Sequence, residues 1–152
     1  MTEPSMTQLR RQDLTEAVQA LSRLSRIVER ASDELSSADY RVMSAIAGGE
    51  ARASRLASRL LLGKPTISTT VDSLSKRGLI VKSTVEGDNR AVELSLSDEG
   101  AEMFARMEAR MVRQLDLLAQ RTPNPAQVVE SIGWLGSVIE ESMAAHAREV
   151  LA

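Results

Sequence analysis

A mainly α chain carrying one small β-hairpin is what the sequence predicts, and three observations predict it. Apolar residues recur every three or four positions through most of the chain, the period of amphipathic helices. Residues 80–96 break that period: 80–85 are rich in β-branched residues, 86–90 have turn chemistry, and Val92, Leu94 and Leu96 alternate with polar residues. Gly48-Gly49, Gly63, Gly78 and the Thr-Pro-Asn-Pro run at 122–125 supply the breaks between helices. The order read from these signals is α-α-α-α-β-β-α-α.

Residues 1–10 are polar, contain a proline, and read as a flexible tail. Over residues 12–31 Leu14, Val18, Leu21, Leu24, Val28 and Ala31 form one stripe, widened by Ile27. Ser36 followed by Asp39 has the spacing of a capping box, with Asp in place of Glu. The helix it opens, 38–47, should bury Tyr40 or Val42, Met43 and Ile46, and Gly48-Gly49 should stop it. Ser54 is the expected N-cap of a short helix carrying Leu56, Ala57, Leu60 and Leu61. After the turn at Leu62-Gly63-Lys64, Pro65 falls in the first turn of the next helix, where its missing N–H costs little.

In that helix Ile67, Val71 and Leu74 share one face. At roughly 100° per residue the opposite face carries Pro65, Thr66, Thr69, Ser73 and Lys76, with Asp72 at its edge. This outward face is small and hydroxyl-rich, suited to close approach by another surface. Gly78 ends the helix and the hairpin follows. Ser97 should cap a long helix to about 121, with Phe104, Met107, Met111, Leu115 and Leu118 at heptad-like spacing. The last helix, to about 150, carries Val128, Ile132, Leu135, Ile139 and Met143 on one face.

Composition sets the bounds. Hydrophobic residues make up 43% of 152, but aromatics only 2%, so the core must be aliphatic and methionine. No run of about 18 apolar residues is present, so no membrane partner is expected, and no apolar stretch follows the first charges as in a secretory signal. The expected location is cytoplasmic. Without cysteine there is no thiolate metal site or thiol switch, and His146 alone cannot build a histidine cluster. No metal and no cofactor is implied. Enzyme readings lack a nucleophile–base pair, a phosphate loop or a positioned carboxylate pair. Charge is unevenly placed: residues 40–90 hold nine bases against four acids, a net of +5. The remainder, ten against seventeen, is −7, so the formal total of −2 hides a basic centre between acidic ends.

Two short helices joined by a tight turn, the second followed by a hairpin, describe a winged helix-turn-helix, whose second helix enters the major groove of DNA. The stretch ASRLASRLLLGKPTISTTVDSLSKRGLIVKSTVEGDNRAVELSLSDEG resembles the DNA-binding core of the MarR (multiple antibiotic resistance regulator) family. The likeness rests on K-P-T-I-S, L-S-K-R-G-L-I closing the helix, D-N-R in the wing and L-S-D-E-G opening the next helix. It extends over nearly the whole chain, because the flanking long helices fit as well.

The resemblance implies a homodimeric regulator of transcription, a repressor, bound to double-stranded DNA at a pseudo-palindromic operator. It divides the chain into a tail (1–10), a dimerisation helix (11–35), the winged helix-turn-helix (36–97) and long helices completing the dimer region (98–152). It places Lys64, Pro65, Thr66, Ser68, Thr69, Ser73 and Lys76 on or beside the major-groove surface. Arg90 becomes the wing residue that enters the minor groove, with Asp88 orienting it. Three departures stand out: Leu61 where the inter-helix turn commonly has glycine, Gly63 where the recognition helix usually has a serine cap, and Thr69 where many members carry arginine. Without that guanidinium, bidentate reading of guanine has one candidate fewer.

The terminal stripes are too long and apolar for one small domain to cover, and self-association through Leu14, Val18, Leu21, Ile132, Leu135, Ile139 and Met143 is the simplest explanation; a closed intramolecular bundle is the alternative. The family likeness also implies a small-molecule effector. Met103, Met107 and Met111, at i, i+4 and i+8 beside Phe104, with Tyr40, are candidate pocket residues, although the same spacing suits plain core. The competing function is a winged-helix protein-interaction module without specific DNA binding.

Overall fold

The computed structural model describes residues 9–30, 33–49, 52–60, 62–85 and 88–150, with backbone alone for 54, 85, 88–91 and 146–150. Eight elements follow in the expected order: α1 (Arg11–Glu29), α2 (Ser37–Ala47), α3 (Ala53–Leu60), α4 (Lys64–Lys76), β1 (Ile80–Val85), β2 (Asp88–Leu96), α5 (Asp98–Ala119) and α6 (Pro125–Val150). The assignments on residues 1–8, Ala31, Leu61 and the 86–87 turn lie outside the described residues.

Helix α2 is the hub of the core. Val42 and Met43 are fully buried, and α3, α4, α5 and β2 all pack on this helix. Leu56 comes from α3, Ile67, Val71 and Leu74 from α4, Leu79 and Ile80 from the start of the hairpin, Leu94 from β2 and Met107 from α5. Each large side chain fully removed from water contributes about 1.5–3 kcal/mol. Tyr40 is half-buried and stacks on Phe104, with ring centroids 5.4 Å apart. Of the two options for α2, Val42 is therefore the interior residue and Tyr40 the bridge to α5.

The capping box forms in full. The Asp39 N–H donates to Ser36 Oγ at 3.1 Å and the Ser36 N–H donates to Asp39 Oδ2 at 2.9 Å. Ser97 caps α5 by accepting from the Gly100 N–H at 3.0 Å. The left-handed residue after α2 is Gly49, at φ +96°, and the one after α4 is Gly78, at φ +73°.

Two local expectations are corrected. Ser54 is not the N-cap of α3: the helix already includes Ala53, because Arg52 pairs with Glu93 of β2 and its carbonyl accepts the Arg55 N–H at 3.0 Å. The turn of the hairpin is shorter than residues 86–90, since β2 begins at Asp88, paired with Val85 after a register shift at Thr84/Val85. The paired register runs Ile80–Leu96, Lys82–Leu94 and Thr84–Val92. Among the described residues, burial in this ribbon is confined to its base; Val92 is exposed although it is in phase with Leu94 and Leu96.

Helices α1 and α6 both pack on α5. Helix α1 has no buried residue at all. Among the described residues, no helix is long and apolar enough to cross a membrane.

Candidate nucleic-acid interface

Helix α4 is amphipathic in the way its spacing demands. Ile67, Thr70, Val71 and Leu74 are buried, while Lys64, Pro65, Thr66, Ser68, Thr69, Ser73 and Lys76 are all exposed. Gly63 stands at the N-cap with extended backbone and makes no side-chain cap, so the first turn relies on Pro65 and on the Ile67 N–H donating to the Gly63 carbonyl at 3.1 Å. The absent cap costs only a few tenths of a kcal/mol relative to serine. The outward face has one lysine, Lys76, and three hydroxyl groups, while Lys64 and Ser68 are exposed toward the cavity side.

The hairpin is tied to this helix by an ion pair. Lys82 Nζ on β1 donates to Asp72 Oδ1 at 2.5 Å. That hydrogen bond, with the lysine's charge, holds the Asp72 carboxyl below the ordinary carboxylate value of 3.8. Between α3, α4 and the hairpin lies an open cavity of about 420 Å³ lined by Ala53, Ala57, Ile67, Val71 and Val92, with Ser68, Lys64, Asp72 and Lys82 as its polar lining. This cavity explains why Val92 is exposed: the ribbon stands off α4 at that level. Asp88 and Arg90 lie on β2, and their side chains are outside the described residues.

Sequence reasoning missed Arg77, the residue that closes α4. Its Nη2 donates to the Glu34 carbonyl at 2.7 Å and lies 3.8 Å from Met103 Sδ, while Nη1 donates to Asp39 Oδ2 at 3.5 Å. Next to it Ser97 Oγ donates to the Gly78 carbonyl at 2.6 Å, joining the end of α4 to the start of α5. A sequence signal existed in the R-G pair that ends α4, but Arg77's partners stand far away in the chain.

Of the seven expected dimer residues, Leu14, Val18, Leu21, Leu135 and Ile139 are exposed in the single chain, and Ile132 and Met143 are half-buried. Val18 is 66% exposed and Trp134, on α6, 62%. These are side chains that water should not be left to cover.

The five candidate pocket residues fall elsewhere. Met107 is 1% exposed, inside the core, and Tyr40, Met103, Phe104 and Met111 pack against it. None of the five lines the cavity beside α4 or the second one, at the α5–α6 corner. In the single chain Met107 is core, and the other four are its cover. Burial, with the nearby Glu108 charge, raises the Tyr40 phenol above its ordinary range.

A helix–turn–helix with the second helix exposed along one face and a hairpin ribbon directly after it defines the winged helix-turn-helix class of DNA-binding proteins. The MarR family model matches residues 33–91, which run from the approach to α2 to the middle of β2. Over that stretch the chain is similar to the MarR family. It is similar to the HTH-type transcriptional regulator PecS of Dickeya dadantii (strain 3937), 26% identical over 110 residues, covering 65% of this chain and 66% of that relative's length.

Among solved structures, the PcaV transcriptional regulator from Streptomyces coelicolor, in complex with its natural ligand, has a TM-score of 0.62 at 23% identity, covering 93% of this chain and 99% of that one. A MarR-family regulator from Rhodococcus sp. RHA1 has a TM-score of 0.73 at 19% identity, covering 88% and 96%. The transcriptional repressor CouR, bound to a 23-mer DNA duplex, has a TM-score of 0.71 at 18% identity, covering 88% and 99%. These likenesses show a shared fold.

Proposed function

We propose that the chain is a cytoplasmic repressor of transcription, not an enzyme, that binds a pseudo-palindromic operator as a homodimer and is released by a small-molecule effector. The observation that carries this reading is α4: a helix buried on one side and, on the other, exposed through Thr66, Thr69, Ser73 and Lys76, with Lys64 exposed at its start. Lysines neutralise phosphates, and the short hydroxyls let the helix come close to base edges and thymine methyl groups. Arg90, with Asp88 beside it in the sequence, is assigned to the minor groove.

Residues 36–97 form the DNA-binding region, and 11–35 with 98–152 form the dimer region. Dimerisation is supported by the exposed stripes on α1 and α6, which one chain leaves uncovered. A two-fold pair sets its recognition helices about 34 Å apart, one turn of duplex. The effector is supported by analogy with PcaV, solved with its natural ligand, and DNA binding by analogy with CouR on its duplex. Tyr40, on α2, and Met103, Phe104 and Met111, on α5, pack half-buried against the core, where a dimer could complete a cleft around them.

Selection of bound sequences from random duplex DNA tests the reading, since it returns motif, spacing and symmetry together. The expected result is an inverted repeat bound with log affinity falling linearly in log salt. Equal, weak binding to every duplex would instead favour a protein-interaction module.

A further inference from the structure

We infer that Arg77 is a positioning residue that sets the angle of the recognition helix relative to the dimer helices, through the joint between α1 and α2. The inference rests on the DNA-binding reading above. Four elements meet at this joint. Arg77, at the C-cap of α4, donates to the Glu34 carbonyl and to Asp39 Oδ2. Arg110, on α5, donates to the Glu34 carboxylate at 3.3 Å. Glu29, on α1, accepts from Ser37 Oγ at 3.0 Å and pairs with Arg41 at 3.7 Å, both on α2. Leu35, between these contacts, is 4% exposed.

The Asp39 carboxylate therefore has two tasks. Its Oδ2 accepts the Ser36 N–H of the capping box, which starts α2, and the Arg77 guanidinium, which ends α4. Glu34 is held from two sides, its carbonyl by α4 and its carboxylate by α5. A planar guanidinium can span a carbonyl and a carboxylate at once; a lysine ammonium cannot hold both in one plane.

The lever is long enough to matter. Helix α4 has 13 residues and so is about 20 Å long, and a tilt of about 10° at its C-terminus moves its N-terminal end by roughly 3 Å, close to one base-pair step of about 3.4 Å. In a dimer the two tilts act on the distance between half-sites, so Arg77 fixes the spacing that the pair accepts.

The experiment uses the full chain, with Arg77→Met and the milder Arg77→Lys. Affinity is measured by fluorescence anisotropy on the selected operator and on versions with one base pair added or removed between half-sites. A salt series and thermal unfolding accompany each variant. Arg77→Met should weaken operator binding about ten-fold and flatten the preference among spacings, with the salt slope unchanged. Arg77→Lys should fall between.

A salt slope reduced by about one, with spacing preference kept, would make Arg77 a phosphate contact and overturn the inference. So would a loss of affinity that merely follows a loss of folded protein, with spacing preference kept in both variants. Wild-type affinity and preference in Arg77→Met would overturn it as well. Failure of the wild-type chain to select any operator would instead defeat the DNA-binding reading itself.

Discussion

Substituting Gly100 by alanine should unfold this protein at a lower temperature, although alanine is the better helix former. An added Cβ at residue 100 would sit 1.9 Å from the Leu79 carbonyl oxygen and 2.8 Å from its carbon, both backbone atoms that cannot swing aside. Real contacts of this kind are not found below 3.0 Å, so α5 and the start of β1 must separate by about 1 Å. That oxygen also accepts the Ser97 N–H at 3.1 Å, and the shift takes the bond out of range.

Overpacking costs about 1–3 kcal/mol and the lost bond about 1 kcal/mol, against a propensity gain of up to about 1 kcal/mol. The net loss is about 1–3 kcal/mol, and at roughly 2–4 °C per kcal/mol for a chain of this size Tm should fall by about 2–12 °C. Thermal unfolding followed by circular dichroism, at one fixed protein concentration, measures it. A Gly100→Ala protein melting at or above the parent would refute the close approach of α5 to Leu79.

Arg90→Ala should weaken operator binding with no change in dimer mass by analytical ultracentrifugation; an unaltered operator affinity would contradict the assignment of Arg90 to the minor groove. Thr69→Ala should alter preference among operator variants more than non-specific affinity, and a uniform loss over all sequences would demote Thr69 to a backbone contact. Asp72 is ionised more easily in the fold than in the unfolded chain, so its pairing with Lys82 adds stability that is fully present above the ordinary carboxylate value of 3.8. That contribution disappears as pH falls through the lower, folded value. The melting difference between the parent and Asp72→Asn should therefore be constant from neutral pH to about 5 and shrink below 3.8. A difference that persists unchanged into strong acid would show that the carboxylate charge is not what Lys82 recognises.

Much of this could be read in advance because it is local. The faces of α4 follow from the spacing of Ile67, Val71 and Leu74, and the Ser36–Asp39 cap is complete within four residues. What escaped depends on partners distant in the chain. Ser54 lost its expected place because Arg52 pairs with Glu93. Val92 is in phase with the core but faces the space between ribbon and helix, which no alternation reveals. Methionines at i, i+4 and i+8 suit a pocket or a core equally; only the packing of α5 on α2 places Met107 at 1% exposure. Arg77 looked like a charged helix end because Glu34, Asp39 and Met103 approach it only after folding.

Helix α1 buries none of its own side chains within the chain. If a second copy covers it, as proposed, abundance becomes a thermodynamic variable for this protein. Folding and pairing are then one mass-action equilibrium, in which each tenfold rise in concentration adds about 1.4 kcal/mol to the assembled state. In the dilute limit, where single chains prevail, operator occupancy would rise with the square of the chain concentration. A gradual fall in copy number would then release the operator over a narrow range, with no ligand required.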